Sequence, residues 1–241
     1  MALSIHRRDY DHHTEQVHAA GGPWVRDVML GLNDGLVASF AVTSGVAGAF
    51  THGNAAVMAG LSEMLGGAVA MGLAAFISAR SQVEFYQSEI EREREEIKRW
   101  PDRERDEIRT IYREKGFGGQ LLEQIVAHIT ADPERWSNVM MREELGFSEG
   151  SFDSPLRSAF AVGLSYLCGA FVPVWAYIFF EPSEGIVISA ISTIVVLFAV
   201  GALKTVITSR SWWRSGLESM LTGIAAAGVT YAAGRFFATR Q

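Results

Sequence analysis

The chain has 241 residues, a formal net charge of −6 at pH 7 and a mean hydropathy of +0.14. This acidic balance argues against nucleic-acid binding, which depends on a basic surface. The single cysteine, Cys168, excludes an intramolecular disulfide. The mild mean hydropathy hides a split, because residues 80–157 are densely charged and the segments on either side hold almost no charge.

Apolar residues concentrate in five windows, each near the roughly 20 residues that a membrane-spanning helix needs. A soluble protein would have to bury five fully apolar long helices in one small core. We therefore expect an all-α polytopic membrane protein with five transmembrane helices and a cytoplasmic helical metal-binding domain inserted between helices 2 and 3. The windows cover residues 28–50, 54–79, 158–180, 186–208 and 217–238. The expected domains are a leader at 1–24, transmembrane helices 1–2 at 25–79, the acidic domain at 80–157 and transmembrane helices 3–5 at 158–241.

Basic residues predict the orientation of these spans. Thirteen of the 21 lysines and arginines lie in 80–157, and none lies in the loops at 50–55 or 181–185. By the positive-inside rule, the N-terminus and the acidic domain face the cytoplasm and the C-terminus faces out. We expect a bacterial inner membrane, with a vacuolar membrane as the alternative. The polar first 23 residues contain no signal-peptide core.

Two acids fall within the first two apolar windows, Asp34 in the first and Glu63 in the second. A charge at bilayer depth costs at least about 2.5–3.5 kcal/mol, so such an acid indicates a functional site. The helical rise places Asp34 about two turns inside the membrane, near the depth of Met71, with Glu63 roughly 12 Å further out. Carboxylate and thioether ligands suit dications such as Fe²⁺, Mn²⁺ or Zn²⁺. We expect Asp34, Glu63 and Met71 to line a transport path, although Asp34 as a helix cap and Met71 as a gap-filler are the simpler alternatives.

The acidic domain repeats the spacing E-x-x-E. Residues three apart share a helix face, so each pair can present two carboxylates to one ion. Met140, Met141 and Glu144 likewise share one side of a later helix. The alternative is a solvated surface with interleaved salt bridges, because arginines separate these acids. The two pairs are Glu93 with Glu96 and Glu104 with Glu107.

Helix boundaries in the acidic domain follow from proline and glycine. Pro101 ends one helix and begins the next, because proline is tolerated only in the first turn. Glycines at Gly116, Gly118 and Gly119 break that second helix. The dipeptide Asp132-Pro133 predicts another start, and Gly146 a stop.

Taken together, the chain resembles the vacuolar iron transporter family, which includes bacterial and nodulin-like membrane proteins. The resemblance extends over most of the chain in order and includes the long insertion between the second and third spans. The matching segments are NDGLVASFAVTSG at 33–45, AGLSEMLGGAVAMGLAAFISARSQVEFY at 59–86, the E-x-x-E pairs at 93–107, MMREELG at 140–146 and SAFAVGLSYLCGAFVP at 158–173.

The resemblance implies a five-helix homodimer with an ion path at the dimer interface. It implies export of Fe²⁺, and of other divalent metals such as Mn²⁺, from the cytosol in exchange for protons, with no bound cofactor and no enzymatic activity. The metal is the cargo. Within the membrane, the family's aspartate, methionine and glutamate fall on Asp34, Met71 and Glu63. Its cytoplasmic metal ligands fall on Glu93, Glu96, Glu104, Glu107, Met140 and Glu144, with Met141 beside them.

The sequence leaves two other functions open. A membrane-anchored, ferritin-like iron oxidase would use Glu-x-x-His pairs, and residues 80–157 hold none, since their only histidine is His128. A metal sensor that does not transport would bind metal without flux.

Overall fold

The computed structural model describes residues 22–50, 54–144, 146, 154–205 and 211–239. Every regular element in these ranges is an α-helix. The leader and its histidines lie outside the described residues. The helices are α1 (Pro23–Ala49), α2 (Ala55–Arg99), α3 (Pro101–Glu114), α4 (Gly119–Thr130), α5 (Pro133–Glu143), α6 (Pro155–Phe179), α7 (Pro182–Leu203) and α8 (Trp212–Ala238).

The helix boundaries predicted in the charged segment are confirmed. Pro101 is the first residue of α3, and Gly116 follows the end of that helix with a φ of +93°, a left-handed conformation that glycine adopts without strain. The Asp132 side chain caps α5 by accepting a hydrogen bond from the Arg135 backbone N–H at 2.8 Å. Local sequence chemistry is enough to position these three helices along the chain.

The chain divides into two compact units. The first comprises residues Met1–Ala75 and Leu156–Gln241, and the second comprises Phe76–Pro155. The helix α2 runs for 45 residues without interruption and contributes residues to both units. The apolar run of the second window therefore continues into the glutamate-rich segment as one helix, as the sequence predicts.

In the first unit, α1 and α6 approach each other closely enough to bring their backbones together. A Cβ on Gly35 would lie 2.9 Å from the Ala170 nitrogen, and a Cβ on Gly169 would lie 3.1 Å from the Leu36 nitrogen. Contacts this close are the reason that small residues are favoured between membrane helices. Leu36 also packs in an apolar cluster with Leu197 and Val200 of α7, so α1 contacts both α6 and α7.

The outer surface of the first unit is apolar. Large hydrophobic side chains are exposed along one face of α2, at intervals of three or four residues: Met58, Leu61, Leu65, Val69, Leu73 and Ile77. Similar residues are exposed on α6 and α7, among them Phe160, Leu164, Ile191 and Val195. A surface of this kind suits a lipid environment, where apolar side chains carry no cost.

Four of the described helices are long and apolar enough to cross a membrane, namely α1, α2, α6 and α7. The fifth predicted window falls on α8, whose 27 residues are a sufficient length. This helix is not among the four. Its sequence includes Arg214, Glu218 and Arg235 as well as glycine, serine and threonine residues. It packs against α1 and α7 within the first unit. Length and composition therefore support four of the five predicted spans.

The second unit has a small hydrophobic core of its own. Its members come from the last part of α2 and from α3, α4 and α5, and all are at most 8% exposed: Ile97, Ile108, Leu122, Val126, Ile129, Trp136 and Met140. Ile97 and Ile108 each lie one helical turn after a glutamate of the E-x-x-E pairs. Anchoring these turns in the core fixes the orientation of the preceding acids.

Candidate metal centre and transport path

The first glutamate of each E-x-x-E pair is buried. Glu93 on α2 is 6% exposed and Glu104 on α3 is 1% exposed. Among the described residues, neither Glu104 carboxylate oxygen has a hydrogen-bond partner, nor does Glu93 Oε1. A buried carboxylate without a partner is costly. Such a site is therefore suited to a ligand that brings positive charge.

The second glutamate of each pair is held by an arginine one turn earlier on the same helix. Arg92 Nε donates to Glu96 at 3.2 Å, and Arg103 Nε donates to Glu107 at 3.2 Å. Both predicted alternatives therefore apply, each to one member of a pair. Glu96 and Glu107 form the interleaved salt bridges of a solvated surface. Glu93 and Glu104 form no such ion pair within the described part of the chain.

Three of the four glutamates come together across two helices. Carboxylate oxygens of Glu93, Glu96 and Glu104 all lie within 4.8 Å of one another. Oxygen ligands in such a group can surround a hard or borderline dication. Glu107 lies beside this cluster, in an open groove that Glu144 also lines.

The cluster raises the pKa values of its own members. Burial is the largest cause of the shift that raises the pKa of Glu93 to about 7, and the nearby carboxylates of Glu104, Glu144 and Glu96 add to it. Burial and neighbouring carboxylates also raise the pKa of Glu104. Mutual repulsion among acids favours uptake of either a proton or a metal ion. The two cations therefore compete for the same oxygens.

The face of α5 predicted to bind metal is mostly buried. Met140 and Met141 are 0% and 2% exposed, and Met140 packs in the core cluster with Ile97 and Ile108. Glu144, which follows the last helical residue, is exposed. Burial and the carboxylates of Glu107 and Glu96 raise the pKa of Glu144, so it lies within their electrostatic range. The thioether of Met140 thus packs in the core, and Glu144 joins the carboxylates.

His128, the one histidine in 80–157, does not join the carboxylates of the cluster. Its Nε2 lies 3.2 Å from Arg135 Nη1, and both residues belong to the α4–α5 region of the second unit. A ferritin-like site would need histidines among its acids. Among the residues that the structure describes, the metal-ligating side chains of this cluster are all carboxylates.

In the first unit, Glu63 accepts a hydrogen bond from a residue that is not among the predicted site residues. The Tyr166 hydroxyl, on α6, donates to Glu63 Oε1. Glu63 Oε2 is buried and has no hydrogen-bond partner among the described residues. One oxygen of this membrane acid is therefore held in place, while the other remains free.

Contacts with α6 give the depth of Asp34 relative to the two α2 residues. Gly169 abuts α1 at Leu32 and Leu36, on either side of Asp34, and Gly163 abuts α2 near Gly72. Because α6 runs parallel to α1 and antiparallel to α2, these contacts place Asp34 at a level between Met71 and Glu63. The sequence predicts Asp34 at the depth of Met71, whereas the structure places it closer to the depth of Glu63 than that. The glycine contacts between the helices determine how far the helices are shifted along one another, and the sequence does not show them. Asp34, Glu63 and Met71 are each half-buried.

Two further buried polar residues are not among the predicted site residues. Asp27 on α1 is 4% exposed and accepts a hydrogen bond from the Ser158 hydroxyl of α6. Ser137 on α5 is 1% exposed, and its hydroxyl has no partner among the described residues. For Tyr166 a signal did exist, since a phenol in an apolar span needs a hydrogen-bond partner. Nothing comparable in the sequence marks Ser137.

Comparison with known sequences identifies the family. A model of the VIT family matches residues 25–235. The chain belongs to the VIT family. Vacuolar iron transporter 1 of Oryza sativa subsp. japonica is 32% identical over 230 residues, which cover 95% of this chain and 91% of that protein. Vacuolar iron transporter 1 of Arabidopsis thaliana is 32% identical over 222 residues, covering 92% and 88%.

A more distant VIT relative is Protein CCC1 of Saccharomyces cerevisiae, 27% identical over 216 residues that cover 86% of this chain and 67% of that protein. The plant relatives are named as transporters and not as enzymes. Membership of this family, together with four apolar helices of spanning length, makes the chain a multi-pass membrane protein. The predicted family resemblance is confirmed.

Proposed function

We propose that this VIT-family protein transports Fe²⁺, and other divalent metals such as Mn²⁺, out of the cytosol across a membrane in exchange for protons. The observation that carries the proposal is the cluster of Glu93, Glu96 and Glu104, whose oxygens lie within 4.8 Å of one another. Three of its oxygens, on Glu93 and Glu104, are buried without a hydrogen-bond partner among the described residues. The names of the plant relatives favour iron as the first cargo to test.

In this proposal the cytoplasmic acids collect metal and raise its local concentration. Glu107, Glu144 and Met140 belong to this collecting region by the family resemblance. Asp34 and Met71 then strip water from the ion and select it, because a carboxylate and a thioether favour transition metals over Mg²⁺ or Ca²⁺. Glu63 accepts a proton from the far side as metal leaves. Only a deprotonated carboxylate binds metal, so protonation and release are linked.

A homodimer is the assembly that this path favours. Asp34, Glu63 and Met71 are each only half-buried within one chain. Acids at membrane depth face protein or a water-filled cavity and not lipid. A second copy covering these side chains would complete the path, with divalent ions and the lipid bilayer as the remaining partners. Light scattering of the detergent-solubilised protein should give the mass of two chains.

The proposed orientation has the N-terminus and the acidic segment in the cytoplasm and the C-terminus outside, from the distribution of basic residues. The proposed location is a bacterial inner membrane, with a vacuolar membrane as the alternative. In this proposed orientation, with export from the cytosol, the carboxylate cluster lies on the side from which metal is taken. Accessibility of cysteines introduced at Ser88 and at Thr239 to a membrane-impermeant thiol reagent tests this orientation.

The decisive experiment is flux into proteoliposomes with an acidic interior. Purified full-length protein should take up Fe²⁺ or Mn²⁺, and collapse of the pH gradient should slow that uptake. Asp34→Ala and Glu63→Ala should each reduce it strongly. Unchanged uptake by both variants would remove these acids from the path, and metal binding without any flux would favour a sensor.

A further inference from the structure

The Tyr166 ring packs against α2 at Gly67, a position without a side chain. The side chain is 3% exposed, and its hydroxyl donates to Glu63 Oε1. Gly67 lies one turn after Glu63 on α2, directly beside the phenol ring. A Cβ at this glycine would lie 2.5 Å from the ring atoms Cε1 and Cζ of Tyr166. A side chain at position 67 would therefore require either the Tyr166 ring or α2 to shift.

The same ring lies among the other residues proposed for the path. Met71 and Met64 pack against the cluster formed by Tyr166 and two alanines. On α1, a Cβ on Gly35, the residue after Asp34, would lie 3.0 Å from the Tyr166 carbonyl carbon. The tyrosine is therefore in the neighbourhood of the α1 acid and the α2 methionine while it bonds the α2 acid.

The hydrogen bond distinguishes the two oxygens of Glu63. A phenol O–H donates one hydrogen bond, and Oε1 accepts it. Oε2 is buried and has no partner among the described residues. A carboxylate restrained through one oxygen loses rotational freedom, so the other oxygen keeps a fixed direction. An incoming cation or proton then meets a prepared ligand.

We propose that Tyr166 is a positioning residue for transport, which holds Glu63 through Oε1 and leaves Oε2 to exchange with the passing ion or proton. This inference rests on the proposed transport function. It assigns the hydroxyl a role in turnover and not in loading, because loading takes place at other acids. The maximal rate should therefore depend on the hydroxyl, and the half-saturating metal concentration should not.

The test is Mn²⁺ flux by full-length Tyr166→Phe in proteoliposomes, normalised to the amount of protein incorporated. Loss of a hydrogen bond to a charged group should lower the maximal rate by roughly tenfold or more. The half-saturating Mn²⁺ concentration should stay within about twofold of wild type. Tyr177→Phe is the matched control, since Tyr177 is 4% exposed on the same helix and packs in a different cluster, with Ala47 and Ala56.

A pair of neighbouring glycines provides an independent arm. Gly67→Ala should displace the phenol and reproduce the loss seen in Tyr166→Phe. Gly66→Ala should transport like wild type, because a Cβ there meets nothing within 4 Å. Equal losses in both alanine variants would mean that transport is sensitive to any added methyl group on this part of α2, whether or not it contacts Tyr166. That result would overturn the inference.

Coupling to Glu63 separates positioning from packing. The double variant Glu63→Gln/Tyr166→Phe should be no slower than Glu63→Gln alone, since the hydroxyl acts through that acid. Additive losses would overturn the inference, as would a Tyr166→Phe rate within about twofold of wild type. Absence of flux in the wild-type protein would instead overturn the proposed transport function.

Discussion

Glu93 and Glu104 lie on successive helices, with carboxylate oxygens within 4.8 Å of each other, and both are buried. Each precedes by three residues a glutamate that is paired with an arginine. The pairs therefore have the same layout, with one acid inside and one acid at the surface. The inner acids are the costly ones, because repulsion and burial act on them together.

Replacing one inner acid should separate stability from metal binding. Glu104→Gln keeps the side-chain volume and removes a buried charge next to Glu93. Metal-free protein at neutral pH should therefore exchange its α3 amide hydrogens more slowly. Affinity for Mn²⁺, measured by isothermal titration calorimetry, should fall by at least about tenfold, because a ligand is lost.

The matched control is Glu114→Gln, an exposed glutamate near the end of the same helix. It should change neither hydrogen exchange nor Mn²⁺ affinity. If Glu104→Gln bound Mn²⁺ as tightly as wild type, the inner acids would not be ligands.

The pH dependence follows from the pKa of Glu93, which burial and neighbouring acids raise from 4.5 to about 7. A raised acid pKa means that the folded state binds its proton more tightly than the unfolded state. The resulting stability is fully present below pH 4.5 and is lost as the pH rises through 7. Metal affinity should change in the opposite direction, increasing as the pH passes 7 and the carboxylate is freed.

Hydrogen exchange of α3 and α5 measures the first effect, with and without Mn²⁺. Metal-free protein should exchange faster at pH 8 than at pH 5 after correction for intrinsic exchange rates, and Mn²⁺ should reverse the difference at pH 8. Metal affinity that did not depend on pH between 5 and 8 would contradict the shift of Glu93.

The backbone contact between α1 and α6 should tolerate no added methyl group at its centre. Gly35→Ala would place a Cβ 2.9 Å from the Ala170 nitrogen. Overpacking of this kind costs about 1–3 kcal/mol, so the thermal midpoint in detergent should fall. Gly228→Ala on α8 is the control, since a Cβ there meets nothing within 4 Å. Equal thermal midpoints for Gly35→Ala and Gly228→Ala would mean that α1 and α6 can move apart to accommodate the methyl group at little cost.

The buried pair of Asp27 and Ser158 should stabilise the same two helices. Ser158→Ala removes a donor from a carboxylate that is 4% exposed. The expected loss of unfolding free energy is about 1–3 kcal/mol, measured by thermal unfolding in detergent. Ser62→Ala, at an exposed serine of α2, should leave the midpoint unchanged. A Ser158→Ala midpoint equal to that of wild type would show that water replaces the hydroxyl.

Much of the fold could be predicted from local chemistry. Pro101, Gly116 and the cap at Asp132 mark helix ends because their effects act within a turn of the chain. Apolar windows mark the long helices for the same reason. The window at 217–238 likewise marks α8, although α8 is not among the four helices that are apolar enough to cross a membrane.

The site could be predicted only in part, because periodicity gives a face and not a depth. Spacing shows that Glu93 and Glu96 share a side of α2, but only the packing of α3 and α5 decides which one is buried. The partner of Glu63 lies 103 residues away on another helix. The shift that places Asp34 between Met71 and Glu63 likewise depends on glycine contacts between helices.

The ion pairs of Glu96 with Arg92 and of Glu107 with Arg103 have a consequence for loading. Each of these carboxylates already holds a guanidinium at 3.2 Å. A dication that binds Glu96 therefore replaces a resident cation and sends the arginine side chain to solvent. Metal loading is then a counter-ion exchange within the protein. Before the metal binds, the two arginines reduce the repulsion among the carboxylates.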